Sequence, residues 1–416
     1  MDRSKVILAY SGGLDTSAAI IWLREQKGLE VVAVTVDVGQ ALDIEMLQSR
    51  AFQAGASELY IVDAKSAFVE NFVLPNLKAN GLYEGRYPLA TALSRPLIAS
   101  ALVAVARAEG AGLVAHGCTG KGNDQVRFEL ALAALAPALE VIAPLREWRM
   151  NREQELSYLH EHALTVSSAT RKYSIDENLW GRSIEAGPLE DEWNEPEEDA
   201  FEWTVPAKKA PDLPEYIEIE FERGVPVALN GTYMSFVDII WKLNELGGKH
   251  GVGRIDMIES RVVGIKSREV YEAPAAVILV EAHSALEQLC LTRDLLSMKR
   301  IISEKWSQLV YEGLWFTDIR RSVAAFIEET QRNITGVVRV KLHKGQCTVV
   351  GRKSPYALYR KELATYGAGD VFDQSAASGY LQLLSLPLKS QSLVDSANQD
   401  ELSKLLGVVK VERSRR

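Results

Sequence analysis

The stretch Ala9-Tyr10-Ser11-Gly12-Gly13-Leu14-Asp15-Thr16-Ser17 stands between a short apolar run, Val6-Ile7-Leu8, and an apolar-periodic segment, Ala18-Ala19-Ile20-Ile21-Trp22-Leu23. That order predicts a strand, a glycine turn and a helix. Two adjacent glycines let the backbone turn tightly and approach a ligand closely. Ser11, Thr16 and Ser17 add hydroxyls, and the new helix points its free N–H groups and positive dipole end into the same space. An anion belongs there, and phosphate is the natural one. The stretch is not a Walker A loop, because no Gly-Lys-Ser/Thr follows the glycines. It is not a dinucleotide fingerprint either, because the glycines are adjacent rather than spaced.

Outward from this loop the chain alternates strand and helix. Val31-Val32-Ala33-Val34-Thr35-Val36 is a β-branched run suited to a strand buried on both faces, and it ends in Asp37-Val38-Gly39-Gln40. A helix over 44–54, a strand over 58–62, an Ala/Leu-rich helix over 94–109 and a strand over 112–116 follow. Such βαβα order predicts an α/β fold, a doubly wound parallel sheet covered by helices. Ligands in such sheets bind beyond the C-terminal ends of the strands. The loops at 9–17, 36–40 and 116–124 each follow a strand directly, so all three belong on one edge.

The last of these opens the string His116-Gly117-Cys118-Thr119-Gly120-Lys121-Gly122-Asn123-Asp124-Gln125-Val126-Arg127-Phe128-Glu129. Three glycines in six residues make another backbone surface for a ligand. Thr119, Lys121, Asn123, Asp124 and Arg127 crowd donors and a carboxylate into nine residues. Asn123 and Arg127 are four apart and share a helix face. Arginine with asparagine suits a carboxylate, and Asp124 suits an ammonium group. Together they predict an amino-acid site beside a nucleotide site. A polar start to a helix explains the glycines but not so many ligand-type side chains.

The rest of the chain reads differently. Residues 190–199 are acidic and carry Pro196, which predicts a solvated connector. Residues 216–222 and 225–229 read as a hairpin around Arg223-Gly224. A helix fits 235–246, residues 254–265 look extended, and 277–310 is helical with room for a break. Residues 336–342 and 346–350 form a second hairpin. Strands grouped apart from long helices predict an α+β second domain. From about residue 369 the chain changes again. Residues 381–388 are apolar and 410–416 basic, a pattern that packs either on a neighbouring subunit or on its own chain. The predicted organisation is a nucleotide domain over 1–166, a second domain over 167–368 and a C-terminal helical arm over 369–416.

Composition narrows the function classes. The 416 residues are 47% hydrophobic and 25% charged, with a net charge of −9. A sizeable core is therefore expected and a broad nucleic-acid surface is not. Cys118, Cys290 and Cys347 are widely spaced and odd in number, which argues for a reducing compartment and against zinc. Neither a signal peptide nor an apolar stretch of membrane-spanning length is read. The expectation is a soluble cytoplasmic protein with no membrane or nucleic-acid partner.

The string Ser11-Gly12-Gly13-Leu14-Asp15-Thr16-Ser17 resembles the pyrophosphate-binding loop of the N-type ATP pyrophosphatases. It is followed in order by Asp-Val-Gly-Gln at 37–40, the string at 116–129, Tyr173-Ser174-Ile175-Asp176-Glu177-Asn178-Leu179-Trp180 and Ile258-Glu259-Ser260-Arg261. In this the chain is similar to the argininosuccinate synthases, from the first strand to beyond residue 360. The resemblance implies an ATP-dependent, AMP-forming ligase that joins citrulline to aspartate through citrullyl-AMP, releasing pyrophosphate, with Mg²⁺ and as a homotetramer. It implies that residues 9–17, Val36 and Gly117 bind ATP, and that Thr119, Asn123 and Asp124 hold aspartate. Tyr87, Asn123, Arg127, Ser174, Ser183, Glu259 and Tyr271 would hold citrulline. Read without the family, Ser174 and Ser183 are loop-capping hydroxyls, and Glu259 and Tyr271 ordinary surface and core residues. One position departs: some relatives carry a citrulline-contacting serine where this chain has Ala92, with Thr91 and Ser94 nearby. No nucleophile is required, no catalytic residue is assigned, and the histidines and cysteines are structural by default. Two alternatives share the first loop. One is another ATP pyrophosphatase-type ligase, which needs an ammonia source, thiol chemistry or a basic RNA surface. The other is an ATP-binding regulatory domain, which leaves the second string unexplained.

Overall fold

The computed structural model describes residues 2–148, 150, 152–164, 172–395 and 397–408. The described chain divides into two compact units, Met1–Leu358 and Tyr359–Arg416. The predicted boundary at 166/167 and the basic tail at 410–416 lie outside the described residues.

The first unit begins with five parallel strands: β1 (Asp2–Ala9), β2 (Glu30–Asp37), β3 (Glu58–Asp63), β4 (Ala111–Ala115) and β5 (Glu140–Ile142), in the order β3-β2-β1-β4-β5. Alternation along the buried strands separates two faces. Ile7, Val32, Val34 and Val114 pack into one core with Phe128 and Leu102. Val6, Leu8, Val31, Ala33, Leu113 and Ala115 pack into the other with Ile20, Leu47 and Leu159. The helices Ala90–Ala108 and Asn123–Leu135 therefore cover one face, and Leu14–Lys27, Ile44–Ala54 and Arg152–Glu161 the other. This is the doubly wound α/β sheet the sequence predicts. Strand order reverses between β1 and β4, and the two glycine-rich loops leave those two strands side by side. That is where open α/β sheets bind ligands. The Ala90–Ala108 helix is long and apolar enough to cross a membrane by length and composition, but just over half of its most apolar window is buried in the protein.

Two antiparallel sheets follow. The hairpin of β6 (Ser174–Asn178) and β7 (Gly181–Glu185) joins that of β11 (Arg254–Ser260) and β12 (Lys266–Glu272) in the order β11-β12-β7-β6. This sheet lies over the Ala90–Ala108 helix. The strands β8 (Glu215–Glu222), β9 (Val225–Leu229), β10 (Thr232–Tyr233), β13 (Gly336–His343) and β14 (Gln346–Lys353) make the other, in the order β10-β9-β8-β13-β14. The helices Phe236–Lys249 and Pro274–Cys290 pack against it. The predicted long helical stretch breaks at Leu291–Thr292 into Pro274–Cys290 and Arg293–Tyr311, with the Thr292 hydroxyl capping the second helix. The region predicted as extended over 254–265 turns back after Ser260, where Arg261 N–H bonds Ile265 O, and returns as β12.

The acidic stretch at 190–199 is mostly exposed, as expected of a solvated segment. It lies within the second set of sheets, after β7, rather than between domains. Its carboxylates are held by Lys172, which reaches Glu197 and Asp199, and by Arg254, which reaches Glu198. The second unit carries the helices Lys361–Ala364, Ala376–Leu384, Leu386–Val394 and Ala397–Leu406. Leu383, Leu388 and Leu393 lie exposed on it.

Candidate active site

Among the described residues, four helices of the first unit start on a side-chain cap. Asp43, Ser235, Thr292 and Thr317 each accept a hydrogen bond from a backbone N–H of the first turn, the usual way to satisfy these donors. The two helices at the reversal point do not. Leu14–Lys27 starts on Gly13 and Asn123–Leu135 on Gly122, and neither has a side-chain cap. Their first-turn N–H groups are left facing the crevice, as an anion site requires.

The first loop is shaped from within. Gly12 takes a left-handed φ of +72°. The Ser11 and Thr16 hydroxyls lie 3.2 Å apart, and the Ser17 hydroxyl donates to Gly13 O at 2.7 Å. Tyr10 is buried, and its carbonyl accepts from the Thr35 hydroxyl at 2.8 Å. Arg50 donates to Gly12 O from the neighbouring helix. Asp15 lies in the first helical turn. The loop after β4 lies directly against this one: a Cβ on Gly117 would sit 2.9 Å from Thr16 Cγ2. Val36, the residue before the end of β2, has a buried side chain, and its carbonyl accepts from Gln40 Nε2 at 2.8 Å.

The second half of the site is one face of the four-stranded sheet. The cross-strand pairs are Tyr271 with Ser183, Ser183 with Asp176, Glu185 with Ser174, and Glu259 with Ser267. Side chains repeat with period two, so Ser174, Asp176, Ser183, Tyr271 and Glu259 share a face. Glu259 is 3% exposed. It accepts from Tyr271 Oη at 2.6 Å and Tyr311 Oη at 2.5 Å. Burial raises its pKa, while the two hydroxyls and the nearby Arg127 and Arg261 oppose the shift. Tyr87 stacks on Tyr271 with ring centroids 4.3 Å apart.

The Asn123–Leu135 helix joins the two halves. Asn123 donates to Tyr311 Oη at 2.8 Å and accepts from Val262 N–H at 2.9 Å. Asp124 accepts from Arg95 at 2.8 Å and Arg127 at 2.9 Å. Burial opposes its ionisation, but the two guanidinium groups outweigh it and hold the carboxyl below the usual range. Arg95 also donates to Asp176 at 2.9 Å, which accepts from the Thr91 hydroxyl at 2.7 Å. Arg127 is 3% exposed, yet its Nη2 has no partner, and Arg95 Nε is likewise free. A buried donor without a partner costs about 1–3 kcal/mol, a cost that an acceptor placed against these N–H groups would remove. Burial raises the pKa of the Cys118 thiol, which favours its protonated form.

Of the residues named from sequence, those of the first loop, Gly117, Asn123, Asp124, Arg127, Tyr87, Ser183, Glu259 and Tyr271 form this connected set. Thr119 lies in the loop before Gly122, whose N–H bonds its carbonyl. Ser174 is exposed at the margin of the sheet face. Ala92 points into the core, while Thr91 is turned toward Asp176. The sequence reading does not assign Arg95, Asp176 or Tyr311. Asp176 lies two residues from Ser174 in a string already singled out. Tyr311 carries no local signal.

A parallel nucleotide-binding sheet with two bare helix N-termini, facing a polar β face rich in carboxylate and guanidinium groups, defines a nucleotide-dependent enzyme of the HUP class. Residues 5–165 match the model of the arginosuccinate synthase N-terminal HUP domain, and residues 173–391 that of the arginosuccinate synthase C-terminal domain. The chain is 54% identical over 398 residues to an argininosuccinate synthase of Bacillus pumilus, covering 95% of this chain and 98% of that protein. It is 52% identical over 398 residues to one of Dehalococcoides mccartyi, with the same coverage, and 52% identical over 400 residues to one of Geobacillus kaustophilus, covering 96% and 98%. The chain belongs to the argininosuccinate synthase family.

Proposed function

We propose that this chain ligates L-citrulline to L-aspartate at the expense of ATP. The citrulline ureido oxygen attacks the α-phosphorus, forming citrullyl-AMP and releasing pyrophosphate. The aspartate amine then attacks the activated carbon, expels AMP and loses a proton, giving argininosuccinate. A ureido carbon is a poor electrophile until its oxygen is adenylylated, and phosphoryl transfer asks mainly for positioning and charge stabilisation. The observation that carries this reading is the unpartnered Nη2 of the buried Arg127, beside Asp124 and Glu259 and at the same crevice as two uncapped helices.

In this assignment the first-turn N–H groups after Gly13, with the Ser11, Thr16 and Ser17 hydroxyls, take the phosphates. Val36 and Gly117 border the nucleoside. Thr119, Asn123 and Asp124 hold aspartate. Tyr87, Asn123, Arg127, Ser174, Ser183, Glu259 and Tyr271 hold citrulline, with Glu259 toward its ammonium group. Among the described residues no cluster of three His, Cys, Asp or Glu side chains forms a cation cage. That fits Mg²⁺, which is carried largely by phosphate oxygens and water with one or two carboxylates. Asp15, which is hydrogen-bonded to Glu155, is a carboxylate in the first turn after the loop, and the ion would neutralise charge on the departing pyrophosphate. The three-part organisation over 1–166, 167–368 and 369–416, a cytoplasmic location and a homotetramer complete the reading. The exposed leucines of the arm support assembly with other copies of this chain.

The test is product identity. With Mg-ATP, citrulline and aspartate the protein should form AMP, pyrophosphate and argininosuccinate in equal amounts, and omission of either amino acid should abolish argininosuccinate. ADP as product, or no turnover despite ATP binding, would sink the proposal.

A further inference from the structure

Tyr311, the last residue of the Arg293–Tyr311 helix, is 1% exposed. Its single hydroxyl proton has one place to go. Asn123 Oδ1 accepts from Val262 N–H, which fixes the amide so that Nδ2 donates to Tyr311 Oη. The tyrosine proton is thus committed to Glu259 Oε1, as the Tyr271 proton is to Oε2. Both carboxylate oxygens accept from tyrosines, an arrangement that favours the ionised form. The same residue grips Arg127 twice: its carbonyl accepts from Nε at 3.0 Å, and the guanidinium lies 4.9 Å from its ring centroid. On its other side the ring stacks on Tyr83 at 3.5 Å. The turn that follows presses backbone to backbone. Gly313 has φ of +79°, and a Cβ there would fall 2.8 Å from Arg127 Cα, so only glycine fits.

We propose that Tyr311 is a positioning residue: it registers the Asn123–Arg127 helix face against Glu259 and keeps Glu259 ionised to receive the citrulline ammonium group. This rests on the assignment of Asn123, Arg127 and Glu259 to the amino-acid substrates. The charged and titratable groups facing Glu259 are Tyr271 and Glu269 from β12, Tyr311 itself, Arg261 from the turn after β11, Arg127, and Tyr83 and Tyr87 from the segment before the Ala90–Ala108 helix. Of these only Tyr271 and Tyr311 donate hydrogen bonds to it.

Tyr311→Phe keeps the ring, the stack and the carbonyl and removes that proton. The citrulline KM should rise about tenfold, the loss of one hydrogen bond to a charged group. The acid limb of kcat/KM for citrulline should move up by roughly one pH unit, with the ATP KM within about twofold of the parent. A purely structural defect would depress kcat and the thermal midpoint and move no limb. Tyr271→Phe removes the twin hydroxyl and should shift the limb the same way, which provides the reading if Tyr311→Phe yields no folded protein. Glu259→Gln separates the two layers. If it leaves the citrulline KM unchanged, the site assignment fails and this proposal with it. If it raises that KM while the tyrosine variants leave the limb unmoved, the role of Tyr311 alone is overturned.

Discussion

Asp124 is where charge, substrate and stability meet, and Asp124→Asn tests all three. The carboxylate accepts one bond from Arg95 and one from Arg127, at 2.8 and 2.9 Å. Asparagine keeps one acceptor oxygen, so one of these survives as a weaker bond and the other is lost. A hydrogen bond to a charged group is worth about 1.5–3 kcal/mol. Breaking a buried ion pair outright costs about 3–5 kcal/mol. The lower range applies, because Arg95 retains Asp176 and the Asp124 side chain is 27% exposed. A loss of about 2–3 kcal/mol translates to roughly 30–150-fold in kcat/KM. On the proposed assignment, in which Asp124 receives the aspartate ammonium group, it should fall first on aspartate and second on citrulline, through the loosened Arg127. ATP should change least, since the phosphate loop shares no bond with Asp124. The assay is AMP and pyrophosphate release with each substrate varied in turn, beside a thermal unfolding scan. Equal impairment toward aspartate and ATP would refute the reasoning, as would full activity with the thermal midpoint unchanged.

Gly117→Val forces side-chain carbons onto Thr16, since a Cβ there already lies 2.9 Å from Cγ2. Overpacking of about 1–3 kcal/mol should raise the ATP KM at least several-fold and leave the amino-acid constants near their parent values in initial-rate measurements. His162 donates to Tyr158 O at 2.7 Å and to Glu25 at 2.8 Å. Both partners are acceptors, which favours the imidazolium form, and the His162 pKa is raised by the Tyr158 carbonyl first and Glu25 second. A raised folded-state pKa gives stability that is full below the unfolded value of about 6.5 and is lost as pH rises through the folded value. His162→Gln should therefore lower the thermal midpoint more at pH 5.5 than at pH 9. Leu383→Glu with Leu388→Glu, at arm positions 72% and 67% exposed, should yield a smaller species by sedimentation velocity if the arm joins copies of the chain. An unchanged mass would remove the arm from the assembly.

The nucleotide half of the site is legible because its signals are local. A strand, two adjacent glycines and a largely buried helix follow one another within residues 2–27, and β2 emerges where the β-branched run at 31–36 stands. The half proposed for the amino acids is not local. Ser183 meets Tyr271 across a strand pair 88 positions apart in sequence, and that register is set by tertiary packing rather than by any turn between them. Hence Ser174, Ser183, Glu259 and Tyr271 read as bland residues one at a time, and only the sheet aligns them. Arg95 and Tyr311 escape for the same reason. Arginine within an Ala/Leu-rich helix and tyrosine at a helix end are ordinary choices, and their meaning lies in Asp176, 81 positions away, and Asn123, 188 positions away.

Capping makes the contrast sharper, because it is written in single residues. Asp43, Ser235, Thr292 and Thr317 each precede a helix and give an oxygen to a first-turn N–H, whereas the buried helices Ala90–Ala108 and Pro274–Cys290 start on Leu89 and Ala273 without a side-chain cap. Each such cap contributes about 1 kcal/mol. Gly13 and Gly122 forgo that at both helices flanking the reversal of strand order. An Asp or Ser side chain at either place would stabilise the unliganded protein by occupying the N–H groups an anion needs. The same reasoning covers Arg127, whose free Nη2 is a cost to the empty site. Donors left open together at two helix starts and on one buried guanidinium amount to a distributed instability, which on the proposed assignment the phosphates of ATP and the carboxylate of an amino acid remove on binding.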